Sequence, residues 1–265
     1  MLRSRIIPCL LISDGALVKT QNFDFPKYVG DPINAVKIFN EKGADELMVL
    51  DIDATRKSLS PNFSLIQKLA AECRMPLCYG GGVNSAEFAS QLVDMGVEKV
   101  AVSSAAITNP KLISEMVSAV GRQSVVVVID FNKKKNYFLN EYELCSHNGK
   151  KSYKDDPFVF LKKCQDAGVG EIVINSVSQD GMMHGYDLNL ALKIKAITKI
   201  PITFLGGAGS LKDMEKLIEK FGIIGAAAGS LFVFKGKYRA VLINYPTLIE
   251  KKDICSKGLI AYKNN

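Results

Sequence analysis

The sequence has no tryptophan, only two histidines, and no C-x-x-C pair among its six cysteines. His147 and His184 lie far apart and keep no ligand-like spacing with cysteine, so a zinc site is not expected. Cys9, Cys73, Cys78, Cys145, Cys164 and Cys255 are scattered, which fits reduced thiols in a cytoplasmic protein better than a disulfide framework. No apolar run is long enough to span a bilayer. The run Ile6–Ile12 follows Arg3 and Arg5, as a signal peptide's core would. It is too short for that role, contains Pro8 and lacks a small-residue cleavage pattern. A nucleic-acid reading motif is missing too. The basic runs Lys133-Lys134-Lys135, Lys150-Lys151 and Lys251-Lys252 have no interleaved aromatics. A net charge of +7 therefore reads as solvated faces plus a small anionic substrate. No cofactor is called for.

What is present is a rhythm. The 265 residues are 48% hydrophobic and 23% charged, enough for a large core in one domain. Short runs, β-branched or apolar nearly throughout, recur at Ile6–Ile12, Leu47–Ile52, Pro76–Tyr79, Lys99–Ser103, Ser124–Ile129, Glu171–Asn175, Pro201–Leu205 and Ile223–Ala228. Such runs suit strands buried on both faces. Amphipathic helices are expected between them: Pro32 to about Lys42, then about Asn62–Cys73, Ser85–Met95, Lys111–Val120, Pro157–Ala167, Leu188–Ala196 and Leu211–Lys220. Asn84, Asn109 and Ser210 are candidate N-caps. Gly43, Gly96 and Gly168 are candidate C-terminal stops. Eight strand–helix units at this length predict a (β/α)₈ barrel, with a doubly wound open sheet as the alternative.

The halves resemble each other. GADEL at Gly43–Leu47 matches GVGEI at Gly168–Ile172, and MPLCYGGGVNS at Met75–Ser85 matches IPITFLGGAGS at Ile200–Ser210. Order and spacing are kept, so two half-barrels are expected, about 1–122 and 123–250, with a tail over 251–265. In each half, glycines follow a strand and precede a helix: Gly80-Gly81-Gly82, and Gly206-Gly207 with Gly209. The next strand of each half ends in small or hydroxyl residues, Ser103-Ser104 and Gly229-Ser230. Glycine admits a ligand to the backbone, and the following helix offers free N–H groups to an anion. The duplicated pair suggests a ligand with an anionic group at each end.

These residues, with RIIPCL, SDG, GDP at Gly30–Pro32, DELMVLDIDA at Asp45–Ala54, VVVVID at Val125–Asp130, AGVGEIVINS at Ala167–Ser176 and QDGMMHGYD at Gln179–Asp187, closely resemble the HisF family. HisF is the cyclase subunit of imidazole glycerol phosphate synthase, and the resemblance runs nearly the whole chain. The related isomerase family HisA shares the half-barrel repeat but matches less well. The resemblance implies a heterodimer with a HisH-type glutaminase. Ammonia released from glutamine would pass through the barrel and meet a phosphorylated substrate at the C-terminal mouth, where two carboxylates act as acid and base. One falls at Asp130. The other falls at position 11, which is Leu11 here. Leucine cannot exchange a proton. Two further departures agree: Leu205 stands where the family usually has serine, and His147–Asp156 lacks its usual threonine-glycine.

The same resemblance places Lys19 on a substrate-covering loop after the first strand, and Asp51, Gly82, Ser103, Ser104, Asp180, Gly181, Gly207, Gly229 and Ser230 at the mouth. At the opposite end it implies an ammonia gate of four alternating charges, Arg5, Glu46, Lys99 and Glu171, with Glu98 helping to dock the glutaminase. An intact gate beneath Leu11, and the segment FKGKYRAVLINYP at Phe234–Pro246, point to a HisF-like paralogue. Such paralogues work with a third protein that amidinates acetamido sugars of surface polysaccharides. A genuine cyclase subunit of histidine biosynthesis, and a non-catalytic scaffold that only activates a glutaminase, are the other readings.

Overall fold

The computed structural model describes residues 3–134 and 141–264. Lys135 of the first basic run and Asn265 at the end of the expected tail lie outside the described residues. Eight parallel strands close a barrel: β1 Arg5–Ser13, β2 Leu47–Asp51, β3 Leu77–Gly80, β4 Lys99–Val102, β5 Val125–Lys133, β6 Glu171–Ser176, β7 Ile202–Leu205 and β8 Gly225–Ala228. Each pairs with the next, β8 returns to β1, and β5 meets β6 along Glu171↔Val126 to Ser176↔Phe131. The helices between them are α1 Pro32–Glu41, α2 Phe63–Glu72, α3 Ala86–Asp94, α4 Lys111–Val120, α5 Pro157–Asp166, α6 Leu188–Ile197 and α7 Leu211–Phe221. This is the (β/α)₈ architecture, and the open-sheet alternative falls with its closure.

Local chemistry sets the helix ends. Asp31, Asn62, Asp156 and Asp187 each accept a backbone N–H from the first turn of the helix that follows. Ser210 makes a full capping box with Asp213 at the start of α7. Two expected caps move. The first turn of α3 is capped by Ser85, not Asn84. Pro110 stands before α4, and the Asn109 carbonyl rather than its side chain receives the Leu112 N–H. Gly43, Gly96 and Gly168 follow their helices at φ of +65°, +98° and +85°, where glycine is at ease.

Strand parity sorts every barrel residue. On β1, Ile6, Leu10 and Ile12 face outward and join the large core beneath the helices. Ile7, Cys9 and Leu11 face inward and join a second cluster with Met48, Cys78, Ala101, Val126, Val128, Val173, Leu205 and Ala227. Two-residue alternation then carries Glu46, Lys99, Glu171 and Arg5 to the inner floor, and Leu11, Ser103, Asp130 and Asn175 to the inner mouth.

Three additions complete the fold. The β1–α1 connection is an antiparallel hairpin, Ala16–Gln21 with Asp24–Gly30. A second hairpin extends β5 through Tyr142–Ser146, which pairs Asp130 with Cys145. After β8, a small hairpin Phe234–Lys235 with Ala240–Val241 leads to α8, Leu248–Asn264. The expected tail is therefore the body of a helix. The link to α8 is fastened at the barrel floor by Tyr245. Its hydroxyl donates to Ile6 O at 2.8 Å and accepts the Asp45 N–H at 3.1 Å. Lys251 of α8 donates to Gly43 O at 2.6 Å and to Asp45 Oδ1 at 2.9 Å.

Tyr245→Phe removes one oxygen and strands two buried backbone groups. It is expected to cost about 1–3 kcal/mol, read as a lower urea midpoint with an unchanged m-value. An unmoved midpoint would show that the hydroxyl does not fasten this end.

Candidate active site

A cavity opens at the C-terminal mouth of the barrel. Leu11, Lys19, Asp51, Gly82, Ser103, Ser104, Asp130 and Asp180 of the sequence-derived set all line it. Gly181, Gly207, Gly229 and Ser230 do not: they are buried beside it.

Asp130 is partly buried and lines this cavity. Asn175, at the end of β6, donates its Nδ2–H to Asp130 Oδ1 at 2.9 Å. Burial pushes the Asp130 carboxyl up to about 7; the Asn175 hydrogen bond opposes the shift and the charge of Asp180 adds to it. A carboxyl poised there can give or take a proton at neutral pH. Leu11 is 7% exposed and joins the apolar lumen cluster, so it offers only hydrocarbon.

The other carboxylates are engaged. Asp51 Oδ1 accepts the N–H groups of Asp53 and Ala54 at 2.9 and 3.0 Å, shaping the turn after β2. Burial raises its pKa, and these two hydrogen bonds oppose the rise. Asp180 accepts from Thr20 Oγ1 at 3.3 Å and lies 4.0 Å from Lys19 Nζ. Lys19 lies in the connection between β1 and α1 and lines the mouth. It sits in the strand Ala16–Gln21, is 4% exposed and packs against Gly229. Ser103 Oγ is buried without a protein partner.

Sequence reasoning passed over two mouth residues. Asn175 pairs with Asp130 through parity alone, and its own Oδ1 is buried and unpartnered. His147 lines the cavity, with Nδ1 2.8 Å from Ser146 Oγ, which lies 2.9 Å from the Tyr153 hydroxyl. The turn holding it runs through φ of +53° at His147 and +57° at Asn148. The signal was there: the HNG run, in the segment that departs from the family pattern, is a left-handed turn signature.

At the opposite end, the four expected charges meet in one closed ring. Arg5 reaches Glu46 at 2.5 Å and Glu171 at 2.6 Å. Lys99 reaches Glu46 at 2.8 Å and Glu171 at 2.9 Å. Thr203 Oγ1 donates to Glu171 Oε1 at 2.5 Å, and only a glycine at 225 leaves room for that threonine. Burial works against charge on all of these groups. The pairings win: Arg5 and Lys99 are held above their ordinary pKa by Glu171 and Glu46, and Glu171 is held below its own by Arg5 and Lys99. Glu98 is exposed beside the ring. Between ring and mouth the lumen is apolar. Among the described residues, no cluster of three or more His, Cys, Asp or Glu could hold a metal, and no helix is long and apolar enough to cross a membrane.

Comparison with known proteins agrees with this geometry. Residues 5–239 match the family model described as histidine biosynthesis protein. A provisionally named imidazole glycerol phosphate synthase subunit of Vibrio vulnificus (strain YJ016) is 54% identical over 252 residues, covering 95% of this chain and 96% of the relative. A second provisionally named subunit, from Pseudomonas aeruginosa (strain PAO1), is 47% identical over 254 residues, 96% of this chain and all of the relative. The imidazole glycerol phosphate synthase subunit HisF of Streptococcus mutans serotype c is 36% identical over 232 residues, 88% and 91% of the two chains. The chain belongs to the histidine biosynthesis protein family and is a HisF-like member of it.

An unfolded aspartate has a pKa near 3.9, and folding raises Asp130 to about 7. The native state therefore holds the extra proton between about pH 4 and 7. Its stability falls as pH rises through that interval, and no penalty remains below about pH 4. Asp130→Asn should match the parent below pH 4 and gain on it up to pH 7, by at most about 4 kcal/mol. Urea melts across pH check this; a pH-independent difference would mean that Asp130 is not held protonated by its site.

Proposed function

We propose that this protein is the synthase subunit of a glutamine-dependent amidotransferase working in the cytoplasm. It would take ammonia from a HisH-type glutaminase and pass it through the barrel to a phosphorylated acceptor. The observation that carries the reading is the closed ring Arg5–Glu46–Lys99–Glu171 beneath a mouth whose strand-one acid is Leu11. Four buried charges are a costly way to close a barrel floor, since an apolar plug of like volume serves stability as well or better. A ring that can exchange one ion pair for another is suited to a gate. Ammonia is neutral and crosses apolar surroundings where ammonium would not. The lumen above the ring, with Ile7, Cys9, Met48, Cys78 and Ala101, suits the neutral species. Exposed Glu98 at the rim would contact the glutaminase.

At the mouth, Asp130 would move a proton as the amine attacks, with Asn175 fixing its carboxylate. Leu11 removes the second carboxylate that family cyclisation uses. We therefore favour a paralogue that supplies ammonia for amidination of an acetamido sugar of surface polysaccharide, together with a third protein. The second reading, a genuine cyclase subunit of histidine biosynthesis, is favoured by Asp130 itself, poised near neutrality, and by relatives such as that of Streptococcus mutans. Purified protein with the family's ribulosyl substrate and an ammonium salt separates the two. The paralogue reading expects imidazole glycerol phosphate at background level, and robust formation would overturn it. A scaffold that only activates a glutaminase would leave the mouth without a bound small molecule.

The gate has its own test. Lys99→Ala leaves Arg5 to balance two glutamates. In the reconstituted complex, glutamine hydrolysis is expected to continue while nitrogen transfer to the acceptor falls about tenfold or more. Unaltered coupling would remove the gate assignment.

A further inference from the structure

The hairpin after β1 and the hairpin after β8 stand side by side at the mouth end of the barrel. Lys27 of the first donates to Arg239 O of the second at 3.0 Å, and its Nζ lies 5.0 Å from the centre of the Phe234 ring. Arg239 in turn donates to Gly181 O at 3.2 Å. Folding thus builds one surface from two segments far apart in sequence.

That surface shows large apolar groups to water. Phe25 and Tyr28 of the first hairpin are 83% and 66% exposed, and Tyr238 at the tip of the second is 87% exposed. Val241 and Leu242, which follow it, are exposed too. Phe25 stands next to the first hairpin's tip, where the pairing with Ala16–Gln21 is irregular, at φ of +54°. A bulky side chain avoids that region, and strain of this kind gathers where a segment binds something. The charge around these groups has one sign. Phe234–Val241 carries Lys235, Lys237 and Arg239 and no acid. Lys27 adds a fourth cation, and Asp24 is the one acid of the strand Asp24–Gly30.

We propose that the two hairpins dock this protein on an anionic lipid bilayer, with the mouth toward the membrane. Aromatic tips enter the interface while lysine and arginine meet the headgroup charge, and the two weak attractions hold only together. A bilayer suits the surface better than a folded partner does. Phe25 and Tyr238 project from hairpin ends, so a protein would need a fitted pocket for each, whereas a fluid interface needs none. A second copy would set like charges against each other across a two-fold contact. The charged ring and Glu98 lie at the other end of the barrel, so a glutaminase there would not compete with the membrane. The proposal does not rest on the ammonia reading.

The lack of tryptophan makes the test direct. Tyr238→Trp places a single indole at the proposed contact. Ile249→Trp is the control: Ile249 is 82% exposed on α8, next to Leu248, which packs against Gly43 at the floor end. The full chain is mixed with phosphatidylcholine vesicles containing roughly one quarter phosphatidylglycerol. The Tyr238→Trp emission should shift to the blue and be quenched by lipids brominated in their acyl chains, while that of Ile249→Trp should not move. In co-sedimentation, binding of the parent chain should fall about tenfold or more on pure phosphatidylcholine or in about 0.5 M NaCl. Phe25→Ser with Tyr238→Ser, and separately Lys235→Gln with Lys237→Gln, should each weaken it about tenfold or more. Melting curves show that each variant is folded. The proposal is overturned by a chain that binds no anionic vesicle, which would leave the surface to an acidic protein. Equal binding to neutral vesicles, parent-like binding by either double variant, or an equal shift at Ile249→Trp would overturn it as well. No step uses glutamine or the acceptor, so a failed coupling assay leaves the proposal standing.

Discussion

The structure depends on one geometric constraint: in a closed parallel barrel, every second residue of a strand faces the lumen. A single chain position therefore decides whether a group belongs to floor, channel, mouth or outer core. On β1 the inward set is Arg5, Ile7, Cys9 and Leu11, which are in turn ring, channel, channel and mouth. On β6 it is Glu171, Val173 and Asn175. A slip of one residue would bring Ile6 and Leu10 inside and put Arg5 among the helices. Register is accordingly fixed by the burial of two separate apolar sets, and the polar groups follow.

Within that frame the charged floor is the least economical feature. Glu46 and Glu171 are 2% and 5% exposed, and carboxylates so buried are tolerable only because each touches both cations. Removing one member leaves an uncompensated buried charge, so the ring is held as a set. The neighbouring Asp45 repeats the theme. Its side chain takes up Arg3, Lys251 and the Ile6 N–H, linking α8 to the residue before Glu46. The last helix is thus fastened to the residue next to the ring.

Much of this was legible in the sequence. The eight strands, the eightfold rhythm and the ring residues follow from period-two burial and from the family motifs. Helix caps were legible only where the chemistry had one solution: Ser210 with Asp213 formed its box, while Asn84 lost to Ser85 beside it. What stayed hidden was the path of the long connections. Residues 14–31 hold Lys19, Thr20, Asn22 and Lys27, and nothing local says that they fold back as a hairpin onto β8. Asn175 was unreadable as a partner of Asp130 until β5 and β6 were paired, since the register Asn175↔Asp130 is a tertiary fact.

Sequence symmetry says nothing of what lies over each loop, for the same reason. The matched glycine loops are alike in composition, yet a loop's use depends on what lies over it. Over the first half lies the cavity. Over the second lies the hairpin after β1; its half-barrel counterpart, the hairpin after β5, reaches the first half, where Asn148 Nδ2 donates to Ile52 O at 3.4 Å. Leu11 contributes to that difference. It pairs with Val18, next to Lys19, and as a leucine it offers the ammonium no charge. Asp180 is the carboxylate that the structure records within ion-pair distance of Lys19, and it lies on the side of the second half. With a leucine at position 11, Lys19 has Asp180 for its ion pair and packs against Gly229.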